Sequence, residues 1–373
     1  MASDLYITSY SQTYSELGLQ QSKMWDKGTL CMTIAGENTG EVALLGFKAC
    51  FPDSVIAFVP DPARTDVRFV KYYFDTMKGR IKSISRGATQ DNLSLDKLLS
   101  FDLRVPALPF QRRIGDILSS YDDLIENNTR RIKILEEMAQ MLYREWFVNF
   151  RFPGHEKVGM VESELGLIPE GWTAGTISQI AILYRDGINP SDFPDEMFLH
   201  FSIPSFDNSR TPVREKGTEI KSNKYRVVPG CVLLSKLNPR IPRLWMPSLG
   251  GGLREITSTE FLVLTPLVAH HRTYLFQFLS SEEFNSSLTG LSLGTSTSHQ
   301  RVKPDDFLNL PSLLPARHVI DDFCRNVDPI MESLSVLRSK NMNLRTTRDL
   351  LLPKLISGDI PVEVAAELVE QTA

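Results

Sequence analysis

Apolar residues recur at alternating steps of four and three along two long stretches of this chain. In the first, Ile114, Leu118, Tyr121, Ile125, Ile132, Leu135, Ala139, Leu142 and Trp146 hold the seam, with Asn128 at one position. In the second, Ile320, Phe323, Val327, Ile330, Leu334, Leu337, Leu344 and Leu351 do so, with Asn341 and Arg348 between them. Such a seam predicts two long heptad helices, each about 50 Å at ~1.5 Å per residue. In one chain they pair most simply with each other, antiparallel. A polar Asn in each seam costs stability and fixes register. Pro329 predicts a kink or a helix start, because it removes a backbone donor and crowds the preceding turn.

Between and before these helices the pattern shortens. Leu30–Ile34, Val42–Leu45 and Val55–Val59 are apolar runs cut by turn residues, Gly36 and Gly40 among them, and predict strands. Arg68–Lys78 predicts an amphipathic helix, and Asp91–Ser100 another helical turn. Further on, strands are expected around Val227–Ser235 and Glu260–Leu264, a helix over His271–Leu279, and a polar loop over Gly294–Gln300. The order repeats because the chain does. Val105, Pro106, Pro109, Gln111 and Ile114 answer Leu310, Pro311, Pro315, Arg317 and Ile320 after 205 or 206 residues. Val59-Pro60 answers Thr265-Pro266, and Phe101 answers Phe307.

Charge sharpens this picture. The net charge is −4, yet nine basic residues against two acidic ones fall between Arg210 and Arg243, and seven against two between Arg64 and Arg86. A basic segment in each half of a duplicated chain points to a polyanion. Cys31, Cys50, Cys231 and Cys324 are scattered, without ligand spacing, and are expected as reduced thiols in the cytoplasm. No metal site and no membrane span are expected.

Catalytic motifs are lacking. Gly36-Glu-Asn-Thr-Gly40 has no Gly-Lys-Ser/Thr, so its glycines are turn residues. Asn238-Pro239-Arg240 lacks the second proline and the aromatic with which amino-methyltransferases hold a base, and no cofactor loop is found. His270-His271 has no HExxH context and is expected at a surface or a helix start. Asp122-Asp123, Glu136-Glu137 and Glu282-Glu283 are adjacent on helices and point apart.

Four motifs then carry a resemblance. They are Val105-Pro-Ala-Leu-Pro-Phe-Gln-Arg-Arg-Ile114, Tyr121-Asp-Asp-Leu-Ile-Glu-Asn-Asn128 with Leu142-Tyr-Arg-Glu-Trp-Phe-Val-Asn-Phe150, Leu167-Ile-Pro-Glu-Gly-Trp172, and Arg348-Asp-Leu-Leu-Leu-Pro-Lys-Leu-Ile-Ser-Gly358. In this order they make the chain resemble the specificity subunit of Type I restriction-modification systems over nearly its whole length. The resemblance implies an α+β fold: two mixed α/β target-recognition domains separated by two long helices forming an antiparallel coiled coil. The expected boundaries are a first recognition domain over 1–109, a helix over 110–151, a linker over 152–168, a second recognition domain over 169–314, a helix over 315–358 and a frayed tail over 359–373.

It also implies a non-enzymatic reader of a bipartite duplex DNA site. Its expected partners are two methyltransferase subunits, which hold the S-adenosylmethionine, and restriction and translocase subunits. Loop position and polarity nominate Asn38, Arg86, Thr89, Gln90 and Asn92 as readers in the first unit. In the second they nominate Lys236, Asn238, Arg240, Ser296, Ser298, His299 and Gln300, with Arg210, Lys221 and Lys224 on phosphates. The chain departs from the family in one respect: 58 residues run from Trp172 to Gly230, but 27 precede the matching Gly28. A start codon upstream of Met1, a lost 5′ end or an incomplete shuffled allele would each account for this, and the last two predict a reader of one half-site. The other readings kept are an assembly scaffold for protein or RNA, and a nuclease.

Overall fold

A computed structural model of the chain describes residues 5–85, 93–247, 252–291 and 300–365. It divides into two compact units, Met1–Ile132 with Val336–Ala373, and Lys133–Ser335. Each long helix contributes to both. The first spans Leu108–Tyr143 and ends in a π-helical turn over Arg144–Val148; the second spans Arg317–Ser357. No helix among the described residues is long and apolar enough to cross a membrane.

In the first unit, a four-stranded sheet has the spatial order Tyr6–Ile7, Val42–Leu45, Leu30–Thr33, Val55–Phe58. The outer pair is parallel and the others are antiparallel. The helix Val67–Ser85 seals one face, burying Phe69, Val70, Tyr72, Phe74, Met77 and Ile81. Gly40 is needed here twice over. Its φ is +87°, and a Cβ would stand 2.8 Å from Ile81 Cγ2.

The heptad seam closes this unit. Ile114, Leu118, Tyr121 and Ile125 share one core with Leu344, Leu351 and Leu355. Partner numbers fall along the second helix as they rise along the first, so the pairing is antiparallel. Asn128 Nδ2 donates to Asn341 Oδ1 at 3.0 Å, and Asn341 Nδ2 to Ile125 O at 3.3 Å and Thr129 Oγ1 at 3.2 Å. Two turns on, Arg348 pairs with buried Asp122, which also accepts from Tyr72 Oη at 2.5 Å. The described part of the tail is packed rather than frayed: Val362 and Ala365 are buried in the same core.

The second unit holds its own share of the pairing. Ala139, Tyr143, Trp146 and Phe147 pack with Val319, Ile320, Phe323 and Val327. The π-turn turns Phe147 inward, 5.0 Å from Phe323 and 4.9 Å from Tyr274 by ring centroids. Pro329 does not start a helix; the segment Arg317–Ser357 runs through it. The stretch after the first helix is ordered, with a hairpin pairing Met160–Ser163 and Gly166–Pro169. Two larger sheets follow. One has the order Val213–Lys216, Met197–Phe201, Arg254–Ser258, Lys224–Arg226, Gly187–Ile188; the other Leu244–Trp245, Val232–Ser235, Phe261–Pro266, Ala181–Tyr184.

The sequence repeat is a repeat of register. In the first unit Leu30 opposes Phe58 and Thr33 opposes Val55; in the second Val232 opposes Leu264 and Ser235 opposes Phe261. Met32 opposes Val42 just as Leu234 opposes Leu244. Gly28 and Gly230 precede the two central strands, both at left-handed φ (+86° and +74°). The units differ at Pro311–Leu314, which pairs with Thr173–Thr176. Its counterpart near Val105 has no strand partner among the described residues.

Replacing Arg348 by Met would strand the Asp122 carboxylate in the core. We expect a loss of about 3 kcal/mol in urea unfolding of this unit, and recovery of most of it in Arg348→Met/Asp122→Leu, where no charge is left buried.

Candidate nucleic-acid interface

The residues nominated as readers fall into three groups. Arg86, Thr89, Gln90, Asn92, Ser296, Ser298 and His299 lie outside the described residues. Asn38 is exposed at the tip of the Gly36–Gly40 turn, its carbonyl accepting from Glu41 N at 3.1 Å. The others belong to the second unit and are not equivalent.

Lys236, Asn238 and Arg240 lie just after the central strand Val232–Ser235. The fold brings this turn against Gln300–Val302, some sixty residues later. Asn238 N donates to Gln300 O at 2.8 Å, Val302 N to Lys236 O at 3.0 Å, and Leu237 bridges Arg301. Asn238 adopts φ +50°, a conformation Asn tolerates better than most residues, and closes the turn by accepting from Ile241 N at 2.9 Å. Its side-chain Oδ1 is buried without a partner. Arg240 is exposed and Lys236 half-buried, and neither pairs with a carboxylate among the described residues. Arg301 beside them is neutralised by Glu260 at 3.1 Å.

Arg210 caps the helix Ile203–Ser209 at φ +51°. Its carbonyl accepts from Trp245 Nε1 at 3.2 Å, while its exposed guanidinium lies 5.4 Å from the Phe206 ring centre. Lys221 is exposed. Lys224 is not a surface cation: the residue is 5% exposed, and its Nζ donates to Ser222 O and Oγ at 2.9 and 2.6 Å. Burial holds its ammonium below the usual lysine range, against the pull of Glu215.

The basic segments are thinner than their counts suggest. In the second unit Arg243 is buried and bidentate to Asp207 (2.7 and 2.9 Å), and Arg226 pairs with Asp186. In the first, Arg68 pairs with Asp66 and Asp116, buried Lys71 with Asp75, and Lys78 with Glu41. Within the two basic segments, the exposed or half-buried cations without an acidic partner among the described residues are Arg210, Arg214, Lys216, Lys221, Lys236 and Arg240 in the second unit, and Arg64, Arg80 and Lys82 in the first.

One feature of the second unit is absent from the motifs. A cavity of about 520 Å³ is lined by His200, Ser202, Asn208, Glu215, Lys224 and Ser258, among others. His200 Nδ1 lies 2.5 Å from Glu215 Oε2, and its Nε2 is buried without a partner. Burial pushes the imidazole below its ordinary value, with Glu215 opposing. The neutral ring therefore donates from Nδ1 to the carboxylate and presents Nε2 as an acceptor. The only sequence signal was a histidine inside the apolar run Met197–Phe201.

Comparison with known proteins places this geometry. The model of the Type I restriction modification DNA specificity domain matches residues 3–137. The MjaIX specificity subunit of a Type I restriction enzyme from Methanocaldococcus jannaschii is 23% identical over 96% of this chain and 84% of its own length. The HindI specificity subunit from Haemophilus influenzae is 23% identical over 74% of this chain and 72% of its own. Among solved structures, the S subunit of a Type I restriction-modification system from M. genitalium has the same fold. Its TM-score is 0.55 at 14% identity, covering 88% of this chain and 83% of that one.

A histidine whose pKa is depressed on folding stabilises the protein fully above its unfolded value, about 6.5. That contribution is lost as pH falls through the folded value. We expect the urea midpoint of the second unit to drop between pH 8 and pH 5, and His200→Gln to reduce the drop.

Proposed function

Because the chain belongs to the family of Type I restriction-modification DNA specificity subunits, we propose that it is a non-catalytic reader of a bipartite sequence in duplex DNA. It directs methyltransferase and restriction subunits to that sequence. The observation that carries this reading is the turn Lys236–Arg240, braced against Gln300–Val302 with Arg240 exposed. Cations without an acidic partner among the described residues stand there beside an Asn in a fixed left-handed backbone. Lys236 and Arg240 offer phosphate contacts, Asn238 fixes the shape of the turn, and Gln300 carries an amide group of the kind that matches an adenine edge. Arg210 and Lys221 extend the positive surface. The Asn38 turn is the corresponding reader in the first unit.

The recognition domains are assigned to 1–109 and 169–314, joined through the long helices. The first helix also offers a partner site. Ile134, Met138 and Met141 follow at steps of four and three, each about half exposed (55%, 46% and 63%). An apolar stripe of this kind on a helix supports docking of a partner subunit. Adenine methylation would then use S-adenosylmethionine held by the methyltransferase subunit.

The test is duplex binding by the complex assembled with methyltransferase subunits. Lys236→Ala/Arg240→Ala should weaken binding to all sequences and shrink the slope of log affinity against log salt by about 1.8, at ~0.9 per phosphate contact. Gln300→Ala should instead relax the preference at one base position, costing about 1–3 kcal/mol there. An unchanged salt slope in the double variant would favour a scaffold that binds protein or RNA.

A further inference from the structure

The histidines of Ala269–His271, the short turn before the helix Arg272–Ser280, converge on one atom of a distant residue. His270 Nε2 lies 2.7 Å and His271 Nε2 2.6 Å from Asp321 Oδ1, in the second turn of the long helix Arg317–Ser357. We propose that His270, His271 and Asp321 form a binding site for a divalent first-row transition metal of the zinc class. Such an ion would clip the helix Arg272–Ser280 to the start of the second long helix, inside the unit Lys133–Ser335.

The donor set fits this chemistry. Two imidazole nitrogens and one carboxylate oxygen, all within 4.8 Å of one another, are the three protein ligands of an open tetrahedral site. Nitrogen donors favour zinc, copper, nickel or cobalt over magnesium or calcium, which want oxygen. The histidine rings are nearly perpendicular, at 80° with centroids 4.6 Å apart, and this turns two sequence neighbours toward a common point. Metal–ligand bonds of about 2.0–2.1 Å put tetrahedral ligand atoms about 3.3 Å apart, so the two His–Asp321 separations must open by roughly half an ångström. His270 has the freedom to do so, its side chain being 55% exposed, while His271 is held at 10%.

Hydrogen bonding alone uses the carboxylate unevenly. Oδ1 takes both imidazoles, and Oδ2 has Arg317 Nε at 3.9 Å, beyond hydrogen-bond reach. Nor does the fold require these three residues. In the first unit, 206 residues earlier, the same positions are Arg64, Thr65 and Gly115. There the junction is held by ordinary ion pairs of Arg68 with Asp66 and Asp116. A ligand set confined to one copy of a duplicated junction is an addition to it.

The full-length chain, stripped with chelator and titrated with Zn²⁺ by calorimetry, should take one equivalent with micromolar or tighter Kd. At a hundredfold excess over Kd the unfolding midpoint of this unit should rise by about 6 °C. Asp321→Asn and His271→Ala should each weaken binding at least about tenfold. His318→Ala, an exposed histidine one turn before Asp321, should leave it unchanged. Co²⁺ bound to the wild-type chain should show the visible bands of a four-coordinate nitrogen and oxygen site, a readout that holds even if His271→Ala fails to fold. The assignment is overturned by absence of saturable binding, by unchanged affinity in Asp321→Asn and His271→Ala, or by a thiolate charge-transfer band.

Discussion

The structure depends on how two long helices agree on a register. Hydrophobic seams alone permit slippage by a heptad, because one leucine layer is much like the next. Polar groups inside the seam do not. Asn128 and Asn341 satisfy each other across the interface, and Asp122 is held between Arg348 on the second helix and Tyr72 on the sheet-covering helix. Any slip would leave buried amides and a buried charge without partners, at a cost far above that of a displaced methylene. The Asp122 contacts also bind the globular part of the first unit to both helices. In the second unit the same task falls to aromatic packing around Phe147 and Phe323, helped by the π-turn that rotates Phe147 inward.

On this frame the chain repeats one small sheet and varies what surrounds it. The central strands Leu30–Thr33 and Val232–Ser235 pair with their neighbours in identical register, each introduced by a left-handed glycine. The second copy adds a five-stranded sheet and a polar cavity, and braces the turn past Ser235 against Gln300–Val302. Strand pairing fixes the register of the sheet, while the loops at its ends are free to differ without loss of fold.

The sequence made the helices plain. Every seam position named from periodicity is buried or half-buried. Three of the four strands of the first unit are legible for a related reason, since Leu30–Thr33, Val42–Leu45 and Val55–Phe58 are apolar runs between turn residues, whereas Tyr6–Ile7 is too short to show a pattern. The five-stranded sheet was not legible. Its strands are two to five residues long, mix parallel and antiparallel neighbours, and include Lys224 and Glu255 at buried positions. Local pattern carries little information about such pairings. Charge misled in the same way: Arg243, Lys71 and Lys224 count toward basic segments yet are committed inside the fold. His270-His271 looked unremarkable because Asp321 lies fifty residues along the chain, and only the tertiary structure unites them.

Hydrogen exchange on the intact chain tests the helix pairing most directly. If the seams are the fixed element of both units, amides of 114–143 and 320–351 should exchange last, and only with unfolding of the unit that contains them. Exchange of those amides as fast as the exposed turn at 36–40 would contradict it.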